Sequence, residues 1–92
     1  MLHLLAYDIA DDKRRAKTSK LLEGYGFRSE FSVFEADLDP ADLVFLQADL
    51  LDIVDPDEDK LFIYPICQRC RKAIIRLAGQ PPPIDDNTFI IG

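Results

Sequence analysis

Apolar and polar positions along this chain change period several times, and each change marks an element. Leu2 to Ile9 is an almost continuous apolar run, too short for a helix, and predicts a strand buried on both faces at the centre of a sheet. Asp8 is the one carboxylate within it. From residue 12 to residue 25 the period becomes helical. Thr18, Leu21, Leu22 and Tyr25 share one stripe, and Lys13, Lys17 and Lys20 form a basic stripe elsewhere on the same predicted helix. Asp11 and Asp12 offer N-caps, and Gly24 and Gly26 supply the stop.

Between Phe27 and Leu38 the apolar residues alternate as Phe27, Phe31 and Val33, then change phase to Phe34, Ala36 and Leu38. A single regular strand cannot satisfy both phases, so a bulge or two abutting strands is expected. Asp39-Pro40 is an N-cap followed by proline at the first helical position, and Leu43, Leu46, Leu50 and Ile53 continue at helical spacing until Asp55-Pro56 ends the helix. Lys60 to Ile66 is a further short run of β-formers, with Pro65 marking an edge or the end of pairing. A short amphipathic segment from Gln68 to Leu77, the breaker Gly79, the stiff run Pro81-Pro82-Pro83 and a last strand signal at Thr88 to Ile91 complete the chain.

Strand, helix, split strand, helix, strand and an appended strand is the order of an α+β, ferredoxin-like βαββαβ unit. The expected organisation is one domain over residues 1–92: a core with its short helical segment over 1–79, then a proline-rich tether and C-terminal strand over 80–92. Helices on one face would leave the other sheet face apolar and open, through residues such as Leu4, Phe34, Phe62 or Tyr64, and a homodimer packed sheet to sheet is the economical way to cover it. The last strand is expected to reach the partner's sheet edge.

Composition adjusts this picture in two ways. Hydrophobic residues at 48% and charged residues at 30% are an ordinary globular balance, and with no apolar run long enough for a bilayer and no basic leader the expected location is the cytoplasm, with no membrane contact. The net charge of −6 argues against strong affinity for phosphates. That acidity is concentrated, however: residues 37–60 hold nine acidic side chains and one basic, whereas residues 1–36 hold six of each.

The segment Tyr7-Asp8-Ile9-Ala10-Asp11-Asp12-Lys13-Arg14-Arg15, with Gly24 to Gly26, Ser32-Val33-Phe34-Glu35, Asp39-Pro40, Asp55-Pro56 and Ile63-Tyr64-Pro65-Ile66-Cys67 after it in order, resembles the signature of the CRISPR-associated protein 2 family. The resemblance implies a ferredoxin-like homodimer that works with the CRISPR-associated integrase in spacer acquisition for antiviral defence, and for some members a metal-dependent endonuclease acting on RNA or double-stranded DNA. It makes Asp8 the catalytic and metal-binding residue, one from each subunit, with Mg²⁺ as cofactor and Mn²⁺ as the alternative. It assigns contacts with a DNA or RNA backbone to Tyr7, Arg14, Arg15, Lys17, Arg28, Ser32 and Phe34.

Phosphodiester hydrolysis needs neutralisation of phosphate charge and activation of water, and Mg²⁺ can do both while holding one or two protein carboxylates. Asp8 and its symmetry mate, facing each other across a two-fold axis, would supply two. The plainer alternative is that Asp8 caps a helix or ends a strand. For the basic residues of the first helix the plain alternative is a solvated face. Cys67-Gln68-Arg69-Cys70 is half of a four-thiolate zinc site, with only His3 as a further soft ligand, and reads best as two reduced thiols. Two functions therefore compete, a nuclease using paired Asp8 carboxylates and a non-catalytic scaffold that bridges integrase dimers. A small-molecule module on the same fold is a third possibility, without a pocket fingerprint in the sequence.

Overall fold

The computed structural model describes residues 1–79, so the expected proline tether and C-terminal strand lie outside the described residues. Seven elements succeed one another: β1 (Leu2–Asp8), α1 (Asp12–Glu23), β2 (Gly26–Glu30), β3 (Val33–Asp37), α2 (Pro40–Ile53), β4 (Lys60–Ile66) and the short α3 (Gln68–Lys72). The four strands form one antiparallel sheet in the order β2-β3-β1-β4. This is the α+β, ferredoxin-like arrangement expected from the element order, with β1 central.

Each boundary has a local cause. The Asp11 carboxylate accepts the Arg14 N–H at 2.9 Å and caps α1, and Asp39 accepts the Asp42 N–H at 2.7 Å and caps α2, with Pro40 pre-set at its first turn. The phase change after Phe27 is resolved by both devices at once. β2 and β3 are separate strands, and their register shifts between Arg28 and Glu30. Phe31, counted among the alternating strand positions, instead sits at the tip of the turn and is exposed.

Gly26 does not stop α1, which ends at Glu23 with Gly24 as its cap. It lies in β2 against β3, where an added Cβ would fall 2.0 Å from the Glu35 carbonyl oxygen and 2.8 Å from the Ala36 Cα. Only a residue without a side chain allows the two backbones to approach this closely.

Period-two alternation sorts the sheet into two faces. Leu5, Tyr7, Phe34 and Ala36 point to the helices and are buried with Leu22 of α1 and Leu46 and Leu50 of α2, while Leu61 and Ile63 of β4 pack against them. The opposite face carries Leu4, Phe62 and Tyr64, half-buried or exposed in the single chain. Two expectations are corrected here. Phe34 belongs to the buried face, fully covered, and not to the open one, because it pairs in register with Leu5. And β1 is buried along its length on the helix face alone; on the other face only Leu2 is buried.

The amphipathic spacing after β4 is helical only through Lys72; residues 73–79 continue without regular structure, and Ile75 and Leu77 are exposed. This segment folds back over the open face. Arg76 forms a two-pronged pair with Glu35 at 2.9 and 2.5 Å and lies over the Phe27 ring, 6.0 Å from its centroid. Arg71 holds Asp37 at 2.8 Å, and Asp37 also accepts from the N-terminal ammonium at 3.1 Å. The β2–β3 end of the open face is thus covered by the chain itself, and the β1–β4 end is left bare by the described residues.

Candidate metal centre and nucleic-acid interface

Asp8 ends β1, on the same face as Leu4 and Ala6 and opposite Lys60 of β4 in the register. It is exposed, and its carboxylate makes no hydrogen bond or ion pair with any described residue. The plain alternative of a helix cap therefore fails, since Asp11 does that work for α1. An oxygen donor of this kind suits a hard cation. Among the described residues, however, no group of three or more His, Cys, Asp or Glu side chains could hold a metal ion. One chain brings one carboxylate, and a Mg²⁺ or Mn²⁺ ion fits here only if ligands from elsewhere complete its shell.

The other expected site residues divide sharply by environment. Tyr7 and Phe34 are buried side by side on the helix face, ring centroids 6.3 Å apart, so neither ring offers a stacking surface to a base or sugar. Their contribution to the site is indirect. Tyr7 donates its backbone N–H to the Ser32 carbonyl at 3.1 Å, which holds the β2–β3 turn against the end of β1 next to Asp8. Arg28 is exposed but engaged: it donates to the Phe31 carbonyl at 2.8 Å and to the Ser19 hydroxyl, and lies 5.1 Å over the Phe34 ring. It ties the turn to α1.

On α1 the basic residues are not equivalent. Arg14 is turned inward, with Nε donating to Asp59 at 2.8 Å and Nη2 to Asp59 and Glu58 at 3.2 Å each. The Asp59 side chain is only 1% exposed. Hydrogen bonds from Arg14, then from the Asp55 backbone N–H, hold the Asp59 carboxyl below the usual carboxylate range, and the same partner pushes Arg14 further up. Arg14 is therefore a structural clamp between α1 and the loop before β4, and not a free phosphate ligand. Arg15 folds back to the Ile9 and Ala10 carbonyls at 2.9 and 3.3 Å and pairs with Asp12, fixing the loop after Asp8. Lys13, Lys17 and Lys20 are exposed and have no ion-pair partner among the described residues. Of the α1 cations expected at a phosphate backbone, Lys17 is the one left open.

The structure thus brings Asp8, the Ser32 turn and the Arg15-bound loop together at one end of β1, and sends Tyr7, Phe34 and Arg14 elsewhere. Sequence reasoning missed Asp59, which it placed in a general acidic segment. The available signal was its position directly before the apolar run of β4, where a carboxylate is drawn partly inward and requires a partner.

A family model described as "CRISPR associated protein Cas2" matches residues 1–74. A protein of Archaeoglobus fulgidus named CRISPR-associated endoribonuclease Cas2 1 is 45% identical over 80 residues, covering 86% of this chain and 85% of its own. The crystal structure of Streptococcus pyogenes Cas2 superposes with a TM-score of 0.75 at 29% identity, covering 85% of this chain and all of that one. A chain of a partial Cas6-RT-Cas1–Cas2 complex superposes with a TM-score of 0.74 at 32% identity, covering 88% of this chain and 90% of that one.

The Arg14–Asp59 clamp generates a pH prediction. A carboxyl whose folded pKa is depressed contributes stability that is present above its unfolded value, about 4, and is lost as pH falls through the folded value. Asp37, lowered by Arg71 and the N-terminus, acts in the same direction. Thermal melts should therefore be insensitive to pH from neutrality down to about 5 and drop below about 4. Asp59→Asn should lower Tm at neutral pH and make the acid decline shallower. Glu58→Gln, removing a carboxylate that is 66% exposed, should leave both nearly unchanged.

Proposed function

The chain belongs to the CRISPR-associated Cas2 family, and from that premise we propose that it is a homodimeric subunit of CRISPR adaptation that works with a Cas1 integrase and carries a Mg²⁺-dependent endonuclease centre. Its substrate class is the phosphodiester backbone of single-stranded RNA or double-stranded DNA. The observation that carries the metal centre is the Asp8 carboxylate: exposed, without a partner among the described residues, at the end of the central strand and on the rim of the open sheet face. Apposing two open faces about a two-fold axis buries the bare patch of Leu4, Phe62 and Tyr64 and directs two Asp8 side chains toward one another.

A divalent cation held there supplies the positive charge that an attacked phosphodiester requires. The chain's own groups do the rest. The Ser32 turn and the Arg15-bound loop keep the end of β1 rigid, and exposed Lys17, with Lys13 and Lys20 beside it, attracts the nucleic-acid backbone without reading bases. Mn²⁺, with similar oxygen preference, would substitute for Mg²⁺.

A second reading, a non-catalytic scaffold between integrase dimers, has its own support. Arg14, Arg15 and Arg28 are already committed within the protein, which leaves a sparse cationic surface, and the structural neighbour in a complex with Cas1 is an assembly component.

Asp8→Asn separates the two. It keeps the side chain's shape and removes the charge twice in a symmetric site. As a nuclease, the variant should lose Mg²⁺-dependent cleavage by at least about tenfold, which corresponds to about 1.4 kcal/mol of barrier, while still dimerising. As a scaffold, parent and variant should both cleave negligibly, and spacer integration with Cas1 should proceed equally in each. Cleavage of parent and variant at the same rate would remove Asp8 from the chemistry. On the binding side, reversing charge at Lys13, Lys17 and Lys20 together should weaken DNA binding and flatten its dependence on salt, because fewer counterions are released. Charge reversal at Arg14 should instead show itself as a loss of Tm.

A further inference from the structure

The described chain carries one nucleophilic pair that the adaptation chemistry does not use. Cys67 and Cys70 are its only two cysteines, both exposed and both reduced, at the junction where β4 ends and α3 begins. They are not merely neighbours in sequence. Cys67 is the residue that caps α3, and its sulfur accepts the Cys70 backbone N–H at 3.4 Å, which places the two side chains on the same turn. The spacing is that of Cys-X-X-Cys motifs, in which one thiol is acidified and the pair cycles between dithiol and disulfide.

We propose that Cys67 and Cys70 form a reactive dithiol that exchanges with low-molecular-weight disulfides, with Cys67 as the attacking thiol and Cys70 as the resolving thiol. The asymmetry between them supports the assignment. Hydrogen bonds from the Cys70 N–H and then from the Cys70 thiol lower the Cys67 pKa, and by the same contact Cys70 is pushed up. The Cys67 thiolate is therefore the better populated nucleophile and the Cys70 thiol the local proton store. A further backbone hydrogen bond, from Arg69 of α3, acts on the Cys67 sulfur in the same direction.

The steps balance. The Cys67 thiolate attacks one sulfur of a disulfide such as oxidised glutathione; that S–S bond breaks, and one glutathione thiolate leaves with the electron pair. Cys70 then gives its proton to the leaving thiolate or to water and attacks the Cys67 sulfur. The mixed disulfide breaks, the second glutathione leaves as thiolate and takes up a proton, and a Cys67–Cys70 disulfide remains. Two protein thiols are oxidised by two electrons, and one glutathione disulfide is reduced to two thiols.

The test uses the full chain with oxidised glutathione, and then intact mass and a non-reducing gel. The parent should lose two hydrogens and retain no glutathione. Cys70→Ser should accumulate a stable glutathione adduct, since nothing resolves it. Cys67→Ser, which keeps a good cap for α3, should react about tenfold more slowly at neutral pH than Cys70→Ser, because the Cys67 sulfur retains the backbone N–H of residue 70 as a donor and the Cys70 sulfur has no such donor. A glutathione adduct that persists on the parent, a disulfide-linked dimer on the gel, or equal rates for the two variants would overturn the proposal.

Discussion

β1 is hydrogen-bonded on both edges, to β3 and to β4, and its side chains therefore belong to two faces with different fates. One face packs against both helices through Leu5 and Tyr7 and is dry. Among the described residues the other has no helix to cover it. That one-sidedness governs the rest of the fold: α1 and α2 must both lie on one side, the segment after α3 is drawn back over part of the bare side through Arg76 and Glu35, and Asp8 emerges where β1 leaves the sheet at the rim of the uncovered surface. A sheet this small, half-covered among the described residues, presents the apolar surface that the proposed dimer would bury.

Charge in this molecule is used mostly from within. Although the chain is strongly acidic overall, its arginines reach specific carboxylates over long sequence separations: Arg14 to Asp59, Arg71 to Asp37 and Arg76 to Glu35. The Glu35 and Asp59 side chains are almost wholly buried, so each guanidinium offsets a desolvation cost that the fold would otherwise bear. The consequence for function is a division of labour. Arg14, Arg71 and Arg76 hold the frame and the lysines of α1 face solvent, so in the proposed function a nucleic acid would meet mainly compact ammonium charges that steer it without fixing its register.

Much of the frame is legible in the sequence because it is written in local rules. Asp11, Asp39-Pro40 and the apolar run from Leu2 mark a cap, a helix start and a central strand by chemistry that acts within one turn. The phase change between Val33 and Phe34 correctly announces a break, but its direction is hidden. Whether Phe34 faces the helices depends on the pairing of β3 with β1, and a bulge upstream reverses that assignment without altering composition. Tyr7, two residues after Leu5 in β1, falls on the same buried face. Arg14 is opaque for a different reason: a cation on an amphipathic helix looks solvated until its partner, 45 residues away in sequence, is placed beside it. Ile74 and Leu77 continue a helical spacing that α3 does not use, and Leu77 is left exposed among the described residues. Asp8 is legible as a candidate because it is a lone carboxylate closing an apolar run, although its freedom from every described partner emerges only in three dimensions.

The proposed shared site rests on two carboxylates acting on one ion, and a dimer with a single Asp8 tests this most directly. Parent and Asp8→Asn chains carrying different tags can be co-expressed and the mixed dimer isolated by two affinity steps. Its Mg²⁺-dependent cleavage is then measured beside that of both homodimers. If the ion requires a carboxylate from each chain, the mixed dimer is as inactive as the Asp8→Asn homodimer. A mixed dimer that retains about half the parent's rate, as two independent sites would give, would contradict a centre shared across the two-fold axis.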